Sequence, residues 1–127
     1  MKLVIGGYAQ GKLNYVMQKH DLDESLVFDG RLPNSGEALE KVVIINHFHN
    51  WVRASILKGE NPEEMIMQFL EICPECIVIS DEIGNGIVPV DAFEREYREQ
   101  TGRLLIEIAA KAEEVERVIC GIGQKIK

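Results

Sequence analysis

The stretch "LVIGGYAQGKLNY" spaces Gly6, Gly11 and Lys12 as G-x-x-x-x-G-K. In that spacing backbone N–H groups cradle phosphates and the lysine reaches the terminal ones, so the chemistry on offer is recognition of GTP or ATP. The candidate nucleotide-binding residues are Gly6, Gly7, Tyr8, Ala9, Gln10, Gly11, Lys12 and Leu13, and Lys12 is also a candidate catalytic residue. Leu13 breaks the pattern. A Ser or Thr hydroxyl there normally helps to hold the Mg²⁺ that accompanies a nucleoside triphosphate, and leucine has no oxygen to offer. In phosphate-loop NTPases a further strand ends in an Asp that shares the ion. Here the run "KVVIIN" ends in Asn46, whose neutral amide oxygen is a weaker partner for a hard dication. Both contacts are altered together, so the sequence predicts that Mg²⁺ is not held in the usual way, and it assigns no metal-ligand residues.

Other reactive side chains cluster less tightly. Glu82 lies in "ISDEIGNGIVP" beside Gly84 and Gly86, at the end of an apolar run, and is a second candidate catalytic residue, as metal partner, base or loop brace. His47 and His49 follow "VVIIN" directly and either reach the phosphate position or pack the start of the next helix. Cys73 and Cys76 form C-P-E-C, which reads as half a zinc site, a redox pair, or two small buried residues where a helix meets a strand. The other available ligands, His20, His47, His49 and Cys120, repeat no second pair at finger spacing. Three cysteines, an odd number, argue against a disulfide scaffold.

The elements that must position these residues alternate. "KLVIG", "SLVFD", "KVVIIN", "CIVIS" and a last run "VERVICGIG" read as strands. "KLNYVMQKH", "FHNWVRASILK" and "NPEEMIMQFLEIC" read as helices, the last opened by Asn61 as N-cap and Pro62 at the first helical position. A fourth helix spans about 91–114, with a break expected at "TGR". His20 is expected to meet the first helix's dipole. Trp51, Val52, Ile56 and Leu57, at helical spacing, are expected in the core or at a subunit contact. Strands alternating with helices, several of them continuously apolar, predict an α/β fold with a mainly parallel sheet flanked by helices. Ligands sit at the carboxyl ends of such strands, here Gly6, the region of Asp29, Asn46, Ser80 to Glu82, and Gly121.

One compact domain over residues 1–127 fits the length. The net charge is −7, with 14 basic residues scattered against 21 acidic ones, which gives no footprint for nucleic acid. No apolar run approaches the ~20 residues a bilayer span needs, and the expectation is a cytoplasmic protein with no membrane partner.

The runs "ISDEIGNGIVP", "FEREYREQTGRL" and "VICGIGQKIK", together with "LVIGGYAQGK", resemble the adenosylcobinamide kinase / adenosylcobinamide-phosphate guanylyltransferase family of cobalamin biosynthesis. The resemblance implies a RecA-like phosphate-loop NTPase fold, a homo-oligomer, a corrinoid substrate that is phosphorylated, and GMP transfer through a histidine. Carried over by position, Gly6, Gly7, Gly11 and Lys12 cradle phosphates, and Glu82, Gly84, Gly86 and Pro89 match the family's second motif. Asn46 stands where the family has an acid and Leu13 where it has Ser. The segment that holds the family's guanylylated histidine is here "DGRLPNSGEALE", which has none. Three readings follow: a kinase/guanylyltransferase-like protein with impaired or lost catalysis, a non-catalytic nucleotide-binding or assembly protein on the same frame, and a metal-binding protein using His47, His49, Cys73 and Cys76.

Overall fold

The computed structural model describes residues 1–34, 36–37, 42–83 and 91–127. The strands are β1 (Lys2–Gly6), β2 (Val27–Asp29), β3 (Ile44–Asn46), β4 (Ile77–Asp81), β5 (Glu114–Ile119) and β6 (Ile122–Lys125). They form one sheet in the order β2-β3-β4-β1-β5-β6, in which the first five run parallel and β6 returns antiparallel to β5. The helices are α1 (Lys12–His20), α2 (Phe48–Leu57), α3 (Pro62–Ile72) and α4 (Ala92–Lys111).

Central strands are apolar on both faces because both faces are covered. Val4, Ile44, Ile77, Ile79 and Val118 point to the α1 side, where Val16 is buried among them. Leu3, Ile45, Val78 and Val115 point to the opposite side and pack with Phe48, Trp51, Val52, Ile66, Leu104 and Ile108 from α2, α3 and α4. Trp51 and Val52 are therefore core residues and Ile56 packs against that core, whereas Leu57 is exposed. Asn61 caps α3, its side chain accepting the Glu64 N–H at 3.3 Å with Pro62 in the first turn.

Two expectations need correction. The terminal run is a hairpin: Cys120 and Gly121 both take positive φ, 51° and 75°, and turn the chain back on itself. Two successive left-handed residues make the tight turn whose twist matches the flanking strands, and Gly121 enters that region without a Cβ penalty. The fourth helix is unbroken through "TGR", because packing of Tyr97, Thr101, Leu104 and Ile108 outweighs the ~1 kcal/mol that a single helical glycine costs.

Gly6 is fixed by lack of room. A Cβ there would lie 2.6 Å from the Val118 carbonyl oxygen, a backbone atom of the neighbouring strand. Gly6→Ala is expected to destabilise the protein by about 1–3 kcal/mol in urea denaturation. Gly102→Ala, whose Cβ meets nothing within 4 Å, should be neutral or stabilising by up to ~1 kcal/mol.

Candidate nucleotide-binding site

β1 ends at Gly6, and the chain turns through residues 7–11 into α1, whose N-cap Gly11 has φ 82° and gives no side-chain cap. The first N–H groups of α1 therefore face the loop without a side-chain partner, which suits an anion. Gln10 ties the loop to the hairpin: its side-chain oxygen accepts the Cys120 N–H at 2.7 Å and its carbonyl accepts the Gly121 N–H at 2.8 Å. Tyr8, at the tip, is 86% exposed. The turn misread as part of a strand is thus what the loop leans on.

Lys12 is buried, with its ammonium donating to the Gly7 carbonyl at 2.7 Å and lying 2.7 Å from Asp81 Oδ1. Parallel pairing of β1 with β4 sets Asp81 level with Gly6. His49, buried at the start of α2, holds Asp81 from the other side: Nδ1 accepts the Asp81 N–H at 3.1 Å and Nε2 lies 3.3 Å from Oδ2. Because Nδ1 accepts, the proton of neutral His49 sits on Nε2, facing the carboxylate. Burial holds His49 below the usual imidazole range, against the pull of Asp81, with His47 and Lys12 lowering it further.

The row continues across the sheet. His47 and His49 meet edge-on with ring centroids 5.6 Å apart. His47 Nδ1 is 2.6 Å from Asp29 Oδ1, and the same oxygen accepts Asn46 Nδ2–H at 2.9 Å. His47 itself takes φ 52°, a conformation uncommon outside glycine, at the junction of β3 and α2. Asp29, His47, His49, Asp81 and Lys12 thereby link the ends of β2, β3, β4 and β1.

Glu82 is placed differently. Its N–H donates to the Gly6 carbonyl at 2.8 Å, and its side chain turns to Arg117 on β5. Arg117 Nη2 donates to Oε2 at 3.0 Å, while Nε, 2.9 Å from Oε1, is angled out of a hydrogen bond. Leu13 packs half-buried against the cluster containing Val4, Val16 and Val118. Gly84, Gly86 and Pro89 lie outside the described residues. Asp81, which the sequence places at a strand end with Ser80 and Glu82 but gives no role, is brought into the site by the register that sets it beside Gly6.

The cysteines stand apart from the histidines. Cys73 caps the end of α3 and Cys76 precedes β4, at the amino edge of the sheet, whereas His47 and His49 follow the carboxyl end of β3. Burial pushes the Cys73 thiol up and the Cys76 thiol to about 12. Among the described residues no group of three or more His, Cys, Asp or Glu side chains comes together as a metal site. His20 ends α1, but burial, with Lys2 and Lys19 nearby, disfavours its charged form.

The family described as cobinamide kinase / cobinamide phosphate guanyltransferase matches residues 16–126. The chain belongs to this family. The bifunctional adenosylcobalamin biosynthesis protein CobU of Salmonella typhimurium is 33% identical over 84 residues, which is 65% of this chain and 46% of that protein. Its Escherichia coli counterpart is 38% identical over 66 residues, 49% of this chain and 36% of that protein. The matched stretch is thus less than half of each relative. The cobinamide kinase / guanyltransferase match begins beyond Lys12, so the phosphate loop stands on its own spacing and geometry; Asn46, His47, His49, Asp81 and Glu82 all fall inside the match.

His49 has a pH signature. The unfolded chain takes up a proton near 6.5, and the fold resists it, so stability is full above that pH and is lost as pH falls toward the lower folded pKa. Melting temperature is expected to drop between pH 7 and pH 5 in calorimetry. His49→Gln should start about 1–3 kcal/mol less stable at pH 7.5 and lose less on acidification, the remaining slope including the share of His20.

Proposed function

We propose that this chain is a nucleotide-binding member of its family, related to the kinase and guanylyltransferase steps on adenosylcobinamide and its phosphate, with catalysis impaired or lost. The observation that carries the reading is the fate of the two side chains expected to accompany Mg²⁺. Leu13 is spent on apolar packing, and Asn46 directs its amide N–H at Asp29. The nearby carboxylate of Asp81 is taken by Lys12. These residues do not fit Mg²⁺ in the customary manner. Phosphoryl transfer relies on positioning and on neutralising charge in the transition state, and the family's ion supplies much of both. For guanylyl transfer, the connection from Gly30 to Val43 contains no histidine to carry the group.

What remains suits binding. Backbone N–H groups at the start of α1 suit the phosphates of GTP or ATP, and the Lys12 ammonium lies beside them, paired with Asp81, while a corrinoid would be the second ligand by family membership alone. The non-catalytic reading keeps the same frame and differs only in turnover. The metal-binding reading has the least support, since its two pairs of ligands sit at opposite ends of the strands.

Isothermal titration with GTP and ATP, each with Mg²⁺ and with EDTA, tests the proposal. Binding should be weak and nearly independent of Mg²⁺, and Lys12→Ala should weaken it roughly ten- to a hundredfold, the worth of a charge-assisted hydrogen bond. Leu13→Ser combined with Asn46→Asp should restore Mg²⁺-dependent tightening. Tight MgGTP binding with turnover of adenosylcobinamide by the unmodified protein would overturn the reading.

We further infer at least a dimer. Ile122 and Ile126 at the carboxyl terminus and Leu57 on α2 are exposed. Light scattering at micromolar concentration should give twice the chain mass or more; a monomer would remove the inference.

A further inference from the structure

We propose that Asp81 is a built-in competitor for phosphate: its carboxylate holds Lys12 in the free protein, and a polyphosphate binds by taking the lysine away from it. The proposal deepens the nucleotide-binding reading and rests on it.

Lys12 is already engaged in the free protein. Two of its three ammonium protons are answered, by the Gly7 carbonyl and by Asp81 Oδ1, both at 2.7 Å, and the side chain is only 7% exposed. Gly7 is the first residue of the phosphate loop after β1, so the ammonium sits at the mouth of the loop, where a phosphate would be cradled. The negative charge at that mouth is already supplied from within. Asp81 is not a mobile surface acid that drifts aside: its backbone is locked in register with Gly6, its N–H is held by His49 Nδ1, and its second oxygen faces His49 Nε2. Neutral His49 orients this carboxylate without cancelling its charge, which leaves Lys12 as its counter-ion. Glu82, the adjacent acid, is engaged with Arg117 and does not compete.

A phosphate arriving at Lys12 therefore meets a fixed like charge beside its target. It must offer more negative charge than one carboxylate to win the exchange, which favours di- and triphosphates over monoanions. The alternative role for Asp81, sharing a divalent cation with the phosphates, would require Lys12 to release it first; among the described residues no third carboxylate, histidine or cysteine converges there.

Asp81→Asn separates the two. The amide keeps the size and the backbone N–H contact to His49 but removes the charge. In EDTA at pH 7.5, titration with inorganic triphosphate and with GTP should show the variant binding about tenfold tighter or more than the parent, and the thermal shift on ligand addition should be larger, although the ligand-free variant melts lower. Lys12→Ala should erase the gain, so that the double variant binds no better than Lys12→Ala alone. Unchanged or weaker triphosphate binding by Asp81→Asn, while the parent binds, overturns the proposal and leaves nucleotide binding standing. A loss seen only with MgCl₂ present would assign the carboxylate to a cation instead. Failure of both proteins to bind triphosphate and GTP at millimolar concentration would overturn the nucleotide reading and this proposal together. Should Asp81→Asn not fold, Asp81→Ser removes the same charge and is read the same way.

Discussion

The carboxyl edge of the sheet depends on how closely β1 approaches β5. At Gly6 the two backbones leave no space for a single carbon, since a Cβ would stand 2.6 Å from the Val118 oxygen. That contact sets the height at which β1 stops and the loop begins. Pairing on the other side brings Asp81 to the same level, so that one residue from β4 and the first turn of α1 converge on a point neither could define alone. The polar row from Asp29 to Lys12 follows from parallel strands ending together. In an antiparallel arrangement alternate ends would be carried to the far edge.

A buried lysine beside a partly buried carboxylate is a costly way to gain stability, because desolvating the two charges offsets much of their attraction. Such a pair persists where each partner has further polar contacts, and both do here: the Gly7 carbonyl for Lys12, and His49 Nε2, 3.3 Å from Oδ2, for Asp81. The arrangement serves to place groups more than to hold the fold together. Stability comes instead from the two apolar layers, which bury Phe48, Val52, Ile66 and Ile108 on one side of the sheet and Val16 on the other.

Most of the fold could be read from the sequence because local signals agreed with one another. The apolar runs, the Asn61–Pro62 helix start and the glycine-lysine loop each imply an element and its direction. The hairpin at Cys120–Gly121 was missed because the apolar character of "VERVICGIG" outweighed a single turn dipeptide in a linear reading. Conversely, Gly102 suggested a break that tertiary packing of its neighbours overrides. The loop residues were legible, being contiguous. Asp81 was not, since its importance arises from register with a strand seventy-five residues earlier. Glu82 was legible as a site candidate, but its partner Arg117 on β5 is invisible to spacing arguments.

The contacts of Gln10 with the last hairpin also determine when the loop can take shape. Gln10 meets Cys120 across 110 positions of chain, and Tyr15 and Lys19 reach Glu116 across a similar distance. During synthesis the loop leaves the ribosome well before Glu116 and Cys120, and it lacks their support until they too have emerged. Contacts of such long range form late, after the entropy of closing the intervening chain has been overcome. Both neighbours of β1 are likewise made after it, so the central strand stays exposed for longest. The supports of both the central strand and the phosphate loop thus come from residues that lie far downstream of them in the chain.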